Sequence, residues 1–153
     1  MDIEIDTDLL KRFISEIKAD VSKKAFGYFI SDKPFGSAKE YIIFTKDLRD
    51  TFNFDEYGEY YKDNPNAGFF SDPMEEYRLD KYLRDKNLYL VGVFHSHLRH
   101  PAIFAQIDQK FHPSKLLWHL IISVRNPDYP QVSIYHYEDN QLYEKSIIFD
   151  CGE

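Results

Sequence analysis

Two histidines two residues apart, His95 and His97, close an apolar run that begins at Leu88. In a β-strand, residues i and i+2 point to the same face, so the two imidazoles stand side by side. Asp108 follows His97 by eleven residues, enough chain for a return turn to bring a carboxylate back to the pair. Two imidazole nitrogens and one carboxylate oxygen suit zinc and leave a fourth coordination position open. That is the composition of a catalytic zinc site; a structural site fills all four positions.

Around these residues the chain reads His95-Ser96-His97, seven residues, Ala105, two residues, Asp108. This resembles the signature of JAMM (MPN-domain, JAB-type) zinc metallopeptidases, in which a serine occupies the position of Ala105. Gly92 before the motif and Pro101-Ala102 after it are similar to the family as well. The family includes isopeptidases acting on ubiquitin-like tails. The resemblance implies that His95, His97 and Asp108 hold Zn2+ and that a water is the nucleophile. It also implies two helpers that this chain lacks. The family's general-base glutamate stands three residues before a glycine in the first strand, a position matched here by Lys24 before Gly27. A protonated lysine beside a dication cannot take a proton, and general-base help contributes roughly two to four orders of magnitude in rate. The oxyanion serine is Ala105, and losing one such donor costs about two to three orders. Glu16, Glu40 and Asp32 are the acids near enough in sequence to stand in for the missing base.

Other residues have plainer readings. Ser96 points away from the histidines in a regular strand and is expected to bond within the sheet. His100, in the loop after the motif, is a spare ligand or a solvated loop residue. His112 and His136 lie outside the motif, and His119, in an apolar strand, reads as a core histidine.

The elements that must position this chemistry follow from hydrophobic periodicity. Leu10, Phe13, Ile14, Ile17 and Val21 make one stripe of a helix over residues 6–23, capped by Asp6 or Thr7. Ala25 to Ile30 and Tyr41 to Thr45 read as two strands of a hairpin. Residues 46–70, rich in Tyr and Phe, read as a long loop, either a partner surface or a satellite core. Ser71-Asp72-Pro73 opens a helix to about Lys86. Leu88 to Phe94 is a strand that delivers the histidines, and residues 103–111 read as a short helix carrying Asp108. Leu116 to Ser123, Gln131 to Tyr137 and Gln141 to Phe149 are the last three strands. The order predicts an α/β fold with a mostly antiparallel sheet flanked by helices, in agreement with the MPN (JAMM) fold, as a single domain over 1–153.

At 153 residues with 43% hydrophobic and 17% aromatic content, the chain can bury a core. A net charge of -7 argues against nucleic acid as a main partner. One cysteine, Cys151, cannot form an internal disulfide, no signal peptide is apparent, and no apolar stretch approaches the roughly 20 residues that span a bilayer. A cytoplasmic protein without membrane contact is expected. The resemblance implies a hydrolase whose partner is the C-terminal tail of a ubiquitin-like or sulfur-carrier protein. The loops at residues 98–104 and 52–70 flank the histidine strand in this reading, so an extended peptide between them would add to a sheet edge. The missing glutamate and serine leave open a catalytically impaired zinc-binding module that recognises such a tail or scaffolds a complex. A metal-free structural MPN partner is a third reading, disfavoured by retention of all three ligands.

Overall fold

The computed structural model describes residues 3–44, 71–103, 116–145 and, as backbone, 147–150. The expectations for residues 46–70, for the helix over 103–111, for Ala105 and for Asp108 fall, apart from Ile103, outside the described residues.

The chain opens with a short strand that the sequence reading missed, β1 (Ile3–Asp6), in which Ile3 and Ile5 are buried and Glu4 is exposed. Helix α1 (Thr7–Ala19) follows at once, its N-terminus capped by the Asp6 carboxylate accepting from the Leu9 N–H at 3.0 Å. Leu9, Leu10, Phe13 and Ile17 form its buried stripe. Val21, expected in that stripe, lies beyond the helix end and is 40% exposed. Strands β2 (Phe26–Ser31) and β3 (Glu40–Ile43) pair antiparallel as the predicted hairpin.

Helix α2 (Pro73–Lys86) carries each end signal that its sequence offers. Asp72 caps it by accepting from the Met74 N–H, Pro73 sits at its start, and Glu75 and Glu76 occupy the first turn. Asn87, in the left-handed region at φ 55°, ends it by donating to the carbonyls of Leu83 and Arg84. There follow β4 (Tyr89–His97), β5 (Trp118–Ser123), β6 (Gln131–Glu138), β7 (Gln141–Lys145) and β8 (Ile147–Asp150). The sequence predicts one strand over the final segment, Gln141 to Phe149. It divides because β7 pairs with β6, whereas β8 pairs in parallel with β1 in a separate two-stranded sheet.

Among the described residues the main sheet runs β3-β2-β4-β5-β6-β7, antiparallel except for the β4–β5 pair. Helix α1 covers one face, where Phe13 packs on Phe29 and Phe94 with ring centroids 4.9 and 4.7 Å apart. Helix α2 covers part of the other, where Leu79 and Leu83 meet Phe26, Ile30 and Phe44. The chain is thus the helix-flanked, mostly antiparallel α/β fold that the sequence predicts. Gly92 has a packing reason: it lies opposite Trp118 on β5, and a Cβ there would drive into the indole ring. No helix among the described residues is long and apolar enough to cross a membrane.

Candidate metal centre

The histidines occupy the end of β4, a central strand paired on both sides. Phe26 of β2 pairs with His95, as does Ile121 of β5, so the backbone beneath the pair is held from left and right. Alternation puts His95 and His97 on the face opposite Phe94, away from α1. His95 is 3% exposed and His97 is half-buried.

Their Nε2 atoms point at each other across 2.9 Å. The outer nitrogens are both engaged. His97 Nδ1 lies 2.8 Å from the Pro101 carbonyl oxygen, which can only accept, so this nitrogen carries the proton and Nε2 is left bare in the neutral ring. His95 Nδ1 lies 2.7 Å from Nε2 of His119. Two imidazoles bound to one zinc through Nε2, at about 2.0–2.1 Å each, bring those nitrogens to roughly 3 Å of one another. The pair therefore fits one edge of a zinc site. Among the described residues no group of three His, Cys, Asp or Glu side chains converges as a metal site; Asp108, the third expected ligand, is outside them.

The loop after β4 is fastened through three successive carbonyls. The oxygens of His100, Pro101 and Ala102 accept from Ser123 Oγ at 2.5 Å, His97 Nδ1 at 2.8 Å and Tyr135 OH at 3.1 Å. The chain thus leaves the site from a fixed point. The His100 side chain is exposed, and what this residue gives the site is its backbone oxygen.

Lys24 lies just before β2. Its neighbour Ala25 exchanges two bonds with Ser96: the Ser96 N–H donates to the Ala25 carbonyl, and the Ala25 N–H donates to Ser96 Oγ, both at 2.8 Å. Lys24 itself precedes the paired residues of β2, and its side chain is half-buried. Ser96, 1% exposed, does what its position in the strand implies, bonding within the sheet.

The three substitute acids fare differently. Asp32 and Glu40 belong to the far end of the hairpin, since Ile30 pairs with Glu40 and Ser31 with Tyr89. At about 3.3 Å per residue that end is roughly 13–20 Å from the histidines. Glu40 there accepts from Tyr82 OH at 3.0 Å. Glu16 is on α1, across the sheet from the pair, beside Tyr41. Glu76 of α2 is an acid on the histidine side of the sheet that sequence reasoning did not weigh as a base. Its carboxylate accepts from Tyr28 OH at 3.0 Å and Ser71 Oγ at 2.9 Å. Burial first, and then the Glu76 charge, hold the Tyr28 phenol protonated well above the usual tyrosine range.

His119 is the other residue whose role was missed. It is a core histidine, as expected, at 1% exposure, but its ring meets His95 edge-on at 85°. Its sequence signal was a histidine in a six-residue strand buried throughout; its partner, 24 residues away, becomes visible only once β5 is known to run parallel beside β4.

Comparison with known proteins bears on the family and the fold. Residues 39–135 match the family described as prokaryotic homologs of the JAB domain. Similar solved structures include a protein from Desulfitobacterium hafniense, at 19% identity and TM-score 0.70, covering 97% of this chain and 93% of that one. A protein from Salinibacter ruber aligns at 17% identity and TM-score 0.65, covering 99% and 94%. A JAB1/MPN domain protein from Archaeoglobus fulgidus aligns at 13% identity and TM-score 0.50, covering 95% and 99%. At these identities the structural likenesses speak for the fold. No curated protein matches the chain. The family match spans more than half of the sequence, and the chain belongs to the prokaryotic homologs of the JAB domain.

Proposed function

We propose that this chain is a zinc-dependent hydrolase of the JAB type, acting in the cytoplasm on the C-terminal tail of a ubiquitin-like or sulfur-carrier protein. The observation that carries the reading is the convergence of two bare-capable Nε2 atoms at 2.9 Å with both outer nitrogens engaged. His95, His97 and Asp108 hold the metal. Zinc, when bound, supplies Lewis acidity and a nucleophilic water at neutral pH. The Pro101 carbonyl fixes the ring plane and tautomer of His97. Ser96 ties the Lys24–Ala25 segment to β4, so whatever side chain stands at position 24 is carried to the edge of the centre. Since β4 is paired on both sides, an extended tail adds to the outer edge of β3 or β7, and the histidine strand itself has no free edge to offer.

A second reading, binding without turnover, is favoured by one observation: Glu16, Glu40 and Asp32, the acids weighed as substitutes for the base, lie across the sheet from the histidines or at its far end. Protein purified without a metal-affinity tag is expected to carry about one zinc per chain, and His97→Ala to lose it. A ubiquitin-like tail is expected to bind at least tenfold better, about 1.4 kcal/mol, than the same partner lacking its last residues. Chelator-sensitive cleavage of that tail, raised by Lys24→Glu, supports the hydrolase; tight binding with no cleavage in either form supports the binding module. Full zinc in His97→Ala, or equal affinity for intact and truncated partners, overturns the reading.

A further inference from the structure

We propose that His119 is a positioning residue for the metal centre, selecting the tautomer of His95 by accepting the proton on its Nδ1. The inference rests on the reading of His95 and His97 as zinc ligands.

Four groups in a row share their protons. His119 Nε2, His95 Nδ1, His95 Nε2, His97 Nε2, His97 Nδ1 and the Pro101 oxygen are joined by contacts of 2.7, 2.9 and 2.8 Å. The Pro101 oxygen accepts, so His97 donates to it and keeps Nε2 bare. Without metal, an all-neutral arrangement runs in one direction: His119 Nε2–H to His95 Nδ1, His95 Nε2–H to His97 Nε2, His97 Nδ1–H to Pro101. A metal needs both Nε2 lone pairs, so the His95 proton must move to Nδ1, and that N–H then requires an acceptor in a buried place. His119 Nε2 is that acceptor, provided the His119 proton shifts to its own Nδ1. Each ring keeps one proton and stays neutral. The second pattern orients His95 and raises its basicity as a ligand.

The geometry supports this specific use. The two rings meet at 85° with centroids 4.8 Å apart, so an N–H in the plane of one is aimed into the partner's nitrogen. His119 does not share the metal itself, because it faces the nitrogen of His95 that points away from His97. It sits on β5 opposite Val93, one alternation from the Ile121 that pairs with His95, on backbone held by β4 and β6. An aliphatic residue would fill this buried position, which is 1% exposed, but would leave the His95 Nδ1–H without its partner.

The test uses the full chain, zinc ion in competition with a chelator, and imidazole 15N NMR. His119→Leu keeps bulk and removes the acceptor; His119→Gln keeps an acceptor. Zinc affinity is expected to fall 10- to 100-fold in His119→Leu and to stay within about threefold of wild type in His119→Gln. In zinc-loaded wild type, His95 is expected to carry its proton on Nδ1, with a 15N–15N coupling to His119 Nε2; this reading decides the matter if His119→Leu does not fold. Unchanged affinity in a folded His119→Leu, or a protonated His119 Nε2 in the zinc-loaded wild type, overturns the inference while leaving the zinc site intact. Wild type that takes up no zinc overturns the zinc reading, and the role of His119 with it.

Discussion

Replacing Ser96 with alanine is expected to loosen the segment that leads into β2. Ser96 Oγ is the acceptor for the Ala25 N–H at 2.8 Å, and Ser96 itself is 1% exposed. Losing the hydroxyl leaves that N–H without its partner, a change that costs about 1–3 kcal/mol when the group stays dry. Ala25 is only half-buried, so water reaches the freed N–H and keeps the loss to the lower part of that range, about 1–2 kcal/mol. For a chain near 150 residues each kcal/mol shifts the melting temperature by about 2–4 °C, which gives a drop of roughly 2–8 °C. Thermal melts read the magnitude, and amide hydrogen exchange reads the cause. Exchange at Ala25 should accelerate, whereas the Ser96 amide, still donating to the Ala25 carbonyl, should change less. A melting temperature within 1 °C of wild type, with Ala25 exchange unchanged, would refute the claim that this hydroxyl fastens residues 24–25 to the histidine strand.

Gly92→Ala should destabilise by about 1–3 kcal/mol or more through overpacking, because the new methyl enters the ring of Trp118. Trp118 is the sole tryptophan, so its emission reports the same event; a denaturation midpoint and an emission maximum both equal to wild type would contradict the packing argument. Tyr28 tests the network with Glu76 through pH. Its phenol is held protonated above the usual tyrosine range, so the native state keeps a proton that the unfolded chain gives up. The stability this provides is whole below about pH 10 and is lost as pH rises beyond it, with a slope near 1.4 kcal/mol per pH unit for one proton. Tyr28→Phe should lack that slope, and parallel alkaline stability curves for the two proteins would count against the assignment.

Local patterns carried most of the fold. Helix α2 was readable at both ends because Asp72, Pro73 and Asn87 are each the residue type its position demands. The histidine pair was readable because alternation in an apolar strand is a two-residue rule. What failed was long-range. β1 is four residues whose partner, β8, comes 144 positions later, at Ile3 with Ile147, and no local pattern announces a parallel pairing of that span. The same partner change split the last predicted strand between Lys145 and Ile147. His119 was legible as buried, but the contact with His95 depends on β5 lying parallel beside β4. The acids weighed as substitutes were near Lys24 in sequence; the hairpin and the sheet carry them away from it.

The residues that would orient the metal and those that would use it come from different parts of the chain. Orientation comes from the Pro101 carbonyl, from His119 on β5, and from pairing of β4 on both sides. In the proposed reading the proton-handling position would be Lys24, ahead of β2, and the oxyanion position Ala105. Because these sets share no side chain, exchanging the second for lysine and alanine leaves the first untouched. In the proposed reading, metal affinity and turnover are therefore separable quantities. Substitution at His119 should move affinity, substitution at Lys24 should move rate, and the double variant should show the two effects added. Strong coupling in that cycle would mean that Lys24 reaches the ligand pair and takes part in holding the metal.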